Sequence, residues 1–294
     1  MSVLVIHNPV SGRKRLINNV GYNFKKYLEK KNVKYEWFET LPQECQPLSE
    51  LNIGNRERVI VIGGDGTVGE IVSFIVKNKL KTKVAIIPTG SANLIAVSLK
   101  LPLVFTNSGF KNAVEGTSKT FDVGIVNNEH IFIIGCGKGH DAMLIKTAKR
   151  SLKRRFGLLA YFFAFLRQIF HFRRLKYKII VDEKIYKFKA RTVLVFNLLD
   201  IFGLLKNYSF DAHDGVLNIV ILQTSAFWSL MRTIAKFFTG NAEEKRSGVR
   251  LLQGKKIEIH TKQRDIPIEI DGELMRLESL RVEVIPMAVG IVSE

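Results

Sequence analysis

The chain has 294 residues, of which 46% are hydrophobic and 24% charged, a globular composition that excludes a disordered tail protein and a fibrous repeat. Its two cysteines, Cys45 and Cys136, lie far apart without metal-ligand spacing, which excludes a disulfide scaffold and a zinc finger and favours a reducing, cytoplasmic compartment. The 45 lysines and arginines outnumber the 27 aspartates and glutamates, and the net charge of +18 predicts affinity for anions such as nucleic acid, acidic lipid headgroups or phosphorylated metabolites.

The first 122 residues alternate short apolar runs with segments of helical spacing. The apolar runs predict strands at residues 3–6, 35–39, 59–62 and 84–87, and the spacing predicts helices over residues 16–31 and 67–80. Continuous apolar strands that alternate with helices indicate a parallel sheet covered on both faces. We therefore expect an N-terminal α/β nucleotide-binding domain over residues 1–122.

Strand-like runs follow one another after residue 122. They lie at residues 131–134, 178–181, 184–189, 192–196, 217–222, 256–260, 266–270 and 281–284. Many alternate apolar and polar residues, as half-buried antiparallel strands do. We expect a second, mostly β domain over residues 123–294, and leave open that its last strand returns to the first domain. Two helical insertions, near residues 142–175 and 227–240, interrupt it.

No apolar run approaches the roughly 18 residues that would span a bilayer, and no secretory leader is visible. We therefore expect a protein that does not cross the membrane but can lie on its surface.

Three turns of the first domain each follow a predicted buried strand. They are the segments Asn8-Pro-Val-Ser-Gly12, Gly63-Gly-Asp-Gly-Thr67 and Thr89-Gly-Ser-Ala-Asn93. In a parallel sheet such turns gather at the carboxyl edge, where ligands bind, and glycines let backbone N–H groups approach a phosphate closely. Each turn alone has an ordinary explanation; Thr67 and Glu70, for example, match a helix capping box. Three together favour a phosphate site, although the Walker and Rossmann fingerprints are absent.

The same three segments resemble the motifs of the diacylglycerol kinase catalytic-domain family, which includes sphingosine and ceramide kinases. In the second half, Asp211 to Leu217 looks like the Asp-Gly-x-Leu segment of that family, and Ile270-Asp-Gly-Glu273 like its Asp-Gly-Glu motif. The resemblance implies a two-domain lipid kinase, with ATP in a cleft between an α/β domain and an antiparallel β-sandwich that has helical insertions. Leu94 departs from the common pattern, and Ser91 and Asn93 look more like the sphingosine kinase form, so the acceptor lipid stays open.

The resemblance also implies roles for particular residues. Those expected to line the ATP site are Asn8, Pro9, Ser11, Gly12, Arg13, Thr40, Gly63, Gly64, Asp65, Gly66, Thr67, Glu70, Gly90, Ser91 and Asn93. The general base that accepts the hydroxyl proton of the lipid would be Glu273, in an acidic cluster that favours base chemistry. Asp65 and Asp122 would organise the catalytic Mg²⁺. The ligands of a structural Mg²⁺ would be Asp211, Asp214 and the backbone carbonyl of Val216, since hard oxygen ligands suit this ion.

Basic clusters flank an aromatic-rich apolar run between residues 142 and 178, a pattern that suits the surface of an anionic bilayer. A core helix with a solvated basic rim explains the pattern equally well. We expect a membrane lipid substrate, an anionic membrane surface as partner, peripheral association with the inner membrane face, and no nucleic acid. A homodimer is left open. The alternatives are a kinase of a soluble hydroxyl acceptor and a catalytically silent lipid- or nucleotide-binding protein.

Overall fold

The computed structural model describes residues 2–11, 14–40, 48–103, 107–139, 174–199, 211–223, 248–263 and 266–293. The chain divides into two compact units. Unit 1 contains Met1–Asp122 and Met287–Glu294, and unit 2 contains Val123–Pro286. Both predicted helical insertions, apart from Arg174 and Leu175, lie outside the described residues.

Within residues 2–115, the described part of unit 1 forms four strands and four α-helices. They are β1 (Ser2–His7), α1 (Lys14–Lys30), β2 (Lys34–Glu39), β3 (Arg58–Gly63), α2 (Asp65–Lys77), β4 (Lys83–Pro88), α3 (Leu94–Ser98) and α4 (Asn107–Glu115). Short 3-10 helices lie at Leu48–Leu51 and Ile53–Asn55. The strand β5 (Ser118–Val126) then leads from unit 1 into unit 2.

The strands of unit 1 form a parallel sheet. The order is β2-β1-β3-β4, and the end of the last strand of the chain, β16 (Leu280–Val292), pairs in parallel with β4 through Ile291 and Val84. Successive residues of β1 and β3 are buried on both sides of the sheet, which explains their continuous apolar sequences. The predicted α/β class and parallel sheet are confirmed.

Helices α1 and α4 cover one face of this sheet. Val20, Phe24 and Leu28 recur every four residues of α1 and are fully or almost fully buried. Phe24 lies 5.1 Å from the ring of Phe110 on α4. The helix α2 packs against β3 and β4.

Unit 2 consists of antiparallel strands. In addition to the ends of β5 and β16, they are β6 (His130–Phe132), β7 (Gly135–Gly139), β8 (Leu175–Val181), β9 (Lys184–Ala190), β10 (Thr192–Phe196), β11 (Leu217–Leu222), β12 (Val249–Gly254), β13 (Lys256–Thr261), β14 (Ile268–Ile270) and β15 (Glu273–Met275). One sheet has the order β12-β11-β10-β7-β14-β15, and the other runs from β16 through β13 and β8 to β9.

The inner faces of these two sheets share one hydrophobic core. Val193, Val195 and Ile219 from the first sheet lie in the same buried cluster as Ile179 and Ile257 from the second. Two antiparallel sheets packed face to face around one core are a β-sandwich. The predicted sandwich is therefore confirmed.

Two details of the sequence prediction were wrong. Residues 131–134 do not form one strand, because β6 ends at Phe132 and the chain bends before β7 begins. Helix α2 begins at Asp65 with Gly64 as its N-cap, so Thr67 lies inside the helix and does not cap it. No helix among the described residues is long and apolar enough to span a membrane.

Candidate active site

Three loops of unit 1 meet at the carboxyl edge of the parallel sheet. Strands β1, β3 and β4 end at His7, Gly63 and Pro88. Backbone hydrogen bonds continue the strand pairing into the loops, since the N–H of Asn8 donates to the carbonyl of Ile62 and the N–H of Thr89 to that of Gly63, both at 2.9 Å. The three predicted phosphate-type segments are thus brought together.

Glycines let two of these loops approach each other more closely than side chains would allow. A Cβ atom on Gly90 would lie 2.6 Å from the Cα atom of Gly64, and one on Gly64 would lie 3.1 Å from the Cα atom of Gly90. Cβ contacts under 3.0 Å are essentially never seen, so the contact requires glycine at position 90. The motif glycines therefore fix the distance between the loops.

Side-chain hydrogen bonds join the loops as well. Asn8 Nδ2 donates to Thr67 Oγ1 at 2.8 Å, which links the first loop to α2. Thr89 Oγ1 donates to Ser11 Oγ at 3.3 Å. The N–H of Ile95, in the first turn of α3, donates to Asp65 Oδ1 at 3.0 Å. The arrangement is therefore a connected cluster rather than three separate turns.

This cluster has features that suit a nucleotide phosphate. The 13-residue helix α2 begins at the cluster, and no side chain of its N-cap residue, Gly64, occupies its first N–H groups. A helix N-terminus with free N–H groups favours anions. The buried hydroxyl of Thr40, whose N–H donates to the carbonyl of His7 at the end of β1, lacks a hydrogen-bond partner among the described residues and is a donor that an anion can use. The residues present fit a bound phosphate group.

The remaining predicted ATP-site residues lie in or beside these loops. Pro9 and the exposed Ser91 lie in the loops, Gly63 ends β3, and Gly66 and the exposed Glu70 lie in α2. Gly12 and Arg13 lie outside the described residues. Their role and that of the other predicted contacts with ATP stay predictions.

Asp122 lies at the end of unit 1 and is 1% exposed. Its Oδ1 accepts a hydrogen bond of 2.7 Å from the N–H of Met287, the residue at which the chain re-enters unit 1. The carboxylate thus holds the returning strand, a role that the sequence did not suggest. Its predicted part in organising Mg²⁺ stays a prediction.

The predicted base, Glu273, is exposed and begins β15 directly after a hairpin turn in unit 2. Asp271 and Gly272 have φ angles of 46° and 91°, and Ile270 pairs with Glu273 across the turn. Two consecutive residues with positive φ form the tight turn that joins antiparallel strands, and Asp-Gly is a preferred sequence for it. The hairpin presents Glu273 at its tip.

Asp271 holds this hairpin to the neighbouring backbone. Its carboxylate accepts hydrogen bonds from the N–H groups of Ile133, Ile134 and Gly135, at 2.7, 2.9 and 2.9 Å. A carboxylate with several N–H donors forms strong, charge-assisted bonds. Sequence analysis treated Asp271 only as part of an acidic cluster and missed this role; its only signal was the Asp-Gly pair next to the expected base.

The proposed structural metal segment lies at residues 211–216 of unit 2. Asp211 Oδ1 lies 2.5 Å from His213 Nδ1, and Asp214 Oδ1 accepts a 3.0 Å hydrogen bond from the N–H of Val216. Within the part of the chain that the structure describes, no three acidic, histidine or cysteine side chains are grouped to hold a metal ion. The assignment of Asp211, Asp214 and Val216 as ligands stays a prediction.

Comparison with known proteins agrees with this architecture. The diacylglycerol kinase catalytic domain matches residues 2–126, and the YegS C-terminal NAD kinase beta sandwich-like domain matches residues 135–293. A Staphylococcus aureus protein named "Putative lipid kinase" is 25% identical over 255 residues, which cover 85% of this chain and 81% of that protein.

Solved structures share the fold over the whole chain. A crystal structure described as a "putative diacylglycerol kinase" from Bacillus anthracis is 21% identical, with a TM-score of 0.79, and the match covers 100% of this chain and 95% of that chain. A second structure of a diacylglycerol kinase from the same organism gives a TM-score of 0.77 at 21% identity, with coverage of 100% and 97%. With both domain matches in chain order, this chain belongs to the diacylglycerol kinase catalytic-domain family of lipid kinases, in the form that carries a YegS-type β-sandwich as its second domain.

Proposed function

We propose that this protein transfers the γ-phosphate of ATP to a hydroxyl group of a membrane lipid. The observation that carries the proposal is the contact between Gly64 and Gly90, which brings two glycine loops and the first turn of α2 into one cluster suited to phosphate. A polyphosphate bound there would be surrounded by backbone N–H groups rather than by bulky side chains. The names of the relatives support the lipid as acceptor.

The acceptor hydroxyl must lose its proton as the new P–O bond forms, and Glu273 is the group proposed to take it. The exposed carboxylate at the tip of the Asp271-Gly272 turn is accessible to a substrate. The hydroxyl oxygen forms a bond to the γ-phosphorus, the bond between that phosphorus and the bridging oxygen breaks, and ADP leaves. The products are a phosphorylated lipid, ADP and the proton held by Glu273.

Mg²⁺ is the divalent ion proposed to accompany ATP, since phosphoryl transfer depends on positioning and on neutralising phosphate charge. The half-buried carboxylate of Asp65 belongs to the loop cluster and would be a hard oxygen ligand for this Mg²⁺ in unit 1. A lipid acceptor further implies peripheral association with the inner, cytoplasmic face of a membrane.

The test is transfer of labelled γ-phosphate from ATP, with Mg²⁺, into lipids presented in mixed micelles. We expect a labelled lipid when diacylglycerol, a sphingoid base, an isoprenoid alcohol or a glycolipid is supplied in turn, and the acceptor that is labelled identifies the substrate class. Label only in a water-soluble alcohol would contradict the lipid part of the proposal. Tight ATP binding with no transfer to any acceptor would contradict the kinase activity itself.

A further inference from the structure

The hairpin formed by β8 and β9 has an unusual outer face. Residues directly opposite each other on paired strands share a face, and the residues on this face form three such pairs. The pairs are Lys176 with Lys189, Lys178 with Lys187, and Ile180 with Ile185. We call these six residues the lysine face.

Two of the three pairs on the lysine face place positive charges directly opposite each other. Like charges at such positions repel and destabilise a sheet. All four lysines are exposed, and none forms an ion pair with a carboxylate among the described residues. The fold therefore maintains a repulsion between two directly opposite lysine pairs on an exposed surface.

Among the acidic groups near this hairpin, Glu183 lies in the turn, beyond the Ile180–Ile185 and Val181–Lys184 pairs, and two others have partners elsewhere. The carboxylate of Asp182, at the turn, accepts hydrogen bonds of 2.8 to 3.1 Å from the N–H groups of Lys255 and Lys256. On the neighbouring strand β13, Glu258 Oε2 lies 2.9 Å from His260 Nε2. Asp182 and Glu258 therefore each have a hydrogen-bond partner, whereas the four lysines have no ion-pair partner among the described residues.

Protection of a sheet edge does not explain the pattern. Lysines on an edge strand prevent pairing with other chains, and within the described residues β9 pairs only with β8. That argument accounts for Lys187 and Lys189 on β9. It does not account for Lys176 and Lys178, because β8 lies between β9 and β13.

The shape of the lysine face indicates the kind of anion that it fits. Side chains stand roughly perpendicular to a sheet, so the four ammonium groups lie side by side rather than converging on one small anion. Ile185, which is 58% exposed, and its partner Ile180 extend the array with aliphatic surface. The aromatic residues Tyr186 and Phe188 pack against the core, so the face lacks the rings on which single-stranded nucleic acid stacks.

We propose that the lysine face is the surface on which this protein docks to an anionic lipid bilayer. Four lysines would meet the headgroup charge and Ile185 would enter the interface, the combination that holds peripheral proteins on membranes. The inference extends the proposed function, because a kinase of a membrane lipid has to reach the bilayer. Its test does not depend on kinase activity.

The experiment measures binding to vesicles made of equal parts phosphatidylcholine and phosphatidylglycerol. The test variant carries Lys176→Gln, Lys178→Gln, Lys187→Gln and Lys189→Gln, and the matched control carries Lys31→Gln, Lys77→Gln, Lys81→Gln and Lys111→Gln, four exposed lysines of unit 1. Both variants lose four charges, so a difference between them reports position rather than net charge.

We expect the lysine-face variant to bind these vesicles at least about a hundredfold more weakly than the parent at about 0.1 M salt, and the control variant to bind nearly as tightly as the parent. At about 1 M salt, where the screening length is about 3 Å, the parent should no longer bind these vesicles more tightly than the lysine-face variant. Ile185→Ser should weaken binding at both salt concentrations. The lysine-face variant should melt no lower than the parent, since the substitutions remove repulsion.

Equal binding by the two variants would overturn the proposal, as would parent binding that is the same for vesicles of phosphatidylcholine alone. Loss of binding to single-stranded RNA, with vesicle binding unchanged, would assign the face to nucleic acid instead. Phosphoryl transfer to a lipid in neutral detergent micelles separates this proposal from the proposed function. We expect the lysine-face variant to keep that activity. If the parent itself transferred no phosphate in these micelles, the proposed function would be contradicted but the docking surface would not.

Discussion

At the scale of single residues, carboxylate groups fix segments of distant backbone in this protein. Asp271 holds the Glu273 hairpin through three N–H donors, and Asp122 holds the returning strand at Met287. No local sequence pattern predicts either role, because the N–H donors lie more than 130 positions away along the chain. Sequence alone therefore suggests that these aspartates contribute to the chemistry of the site and does not predict the backbone N–H groups to which they bond.

Asp271→Asn tests this positioning role. The amide cannot accept from all three N–H groups and turns a donor toward them, so we expect a loss of roughly 2–3 kcal/mol in the free energy of unfolding. Hydrogen exchange should accelerate at residues 133–135 and 268–275, and turnover should fall because Glu273 is misplaced. Asp182→Asn, the same change in the other hairpin, is the matched control and should lower stability without lowering turnover in the surviving folded protein. Equal turnover in the two variants would contradict a positioning role.

His7 gives the stability of unit 1 a dependence on pH. It is 4% exposed, and its burial lowers the pKa of the imidazole although Glu39, 3.3 Å away, partly offsets that effect. The unfolded chain then takes up a proton that the folded protein resists, so the free energy of unfolding should fall as the pH drops below about 6.5. Denaturant unfolding of His7→Phe should show a flatter slope than the parent between about pH 7 and pH 5.5. Identical slopes would mean that other groups control this range.

At the scale of elements, the loop cluster depends on backbone contacts. In Gly90→Ala the new Cβ would meet the backbone of Gly64 at 2.6 Å, and the loops must separate. Overpacking of this kind costs roughly 1–3 kcal/mol, and we expect ATP affinity to fall at least about tenfold. Calorimetric titration with ATP measures the effect. A Cβ on Gly69 would meet nothing within 4 Å, so Gly69→Ala serves as the control for folding and should leave the melting temperature equal or higher. Unchanged ATP affinity in Gly90→Ala would mean that the loop cluster does not bind the nucleotide.

Arg58 stabilises the end of helix α4. Its guanidinium is 5% exposed and donates to the carbonyls of Ala113, Val114 and Gly116 at 2.5 to 2.9 Å. These are carbonyls that a helix C-terminus leaves without partners, and a cation there also complements the helix dipole. Arg58→Met should lower the free energy of unfolding by roughly 2–4 kcal/mol, measured by denaturant titration, and Arg56→Met, which removes a partly exposed ion pair with Glu36, should lower it less. A small effect at Arg58 would mean that water replaces the guanidinium.

Sequence analysis did not predict β5, β7, β12 or β15, and for β7 the physical cause is clear. β7 contains Gly135, Gly137 and Gly139, and glycine is depleted in strands, so its sequence does not predict one. Glycine is needed at position 135, because a Cβ there would lie 2.6 Å from the backbone carbonyl oxygen of Val195 on the adjacent strand. Strands with alternating or continuous apolar residues, such as β1, β3 and β11, were predicted within one or two residues. A pattern of apolar residues predicts strands whose side chains fill the core. It does not predict β7, where glycines allow close backbone packing.

At the scale of the whole molecule, the chain passes between its two units twice, at Asp122–Val123 and at Pro286–Met287. The family motifs mark the α/β and β-sandwich domains clearly, and the structure has both. The thirteen-residue strand β16 begins in the sandwich and ends beside β4, a return that sequence analysis left open and the strand pairing shows. Motif spacing predicted which loops come together at the sheet edge, but not which distant backbone each one contacts.

The central claim is that unit 1 binds ATP while Glu273, in unit 2, accepts the proton of a lipid hydroxyl. The most direct measurement compares the parent with Glu273→Gln for ATP binding by calorimetry and for labelled phosphate transfer into lipid. We predict that the variant binds ATP nearly as tightly as the parent and transfers phosphate at least about a hundredfold more slowly, the usual range for loss of a general base. Phosphate transfer at the parental rate in Glu273→Gln would contradict the account.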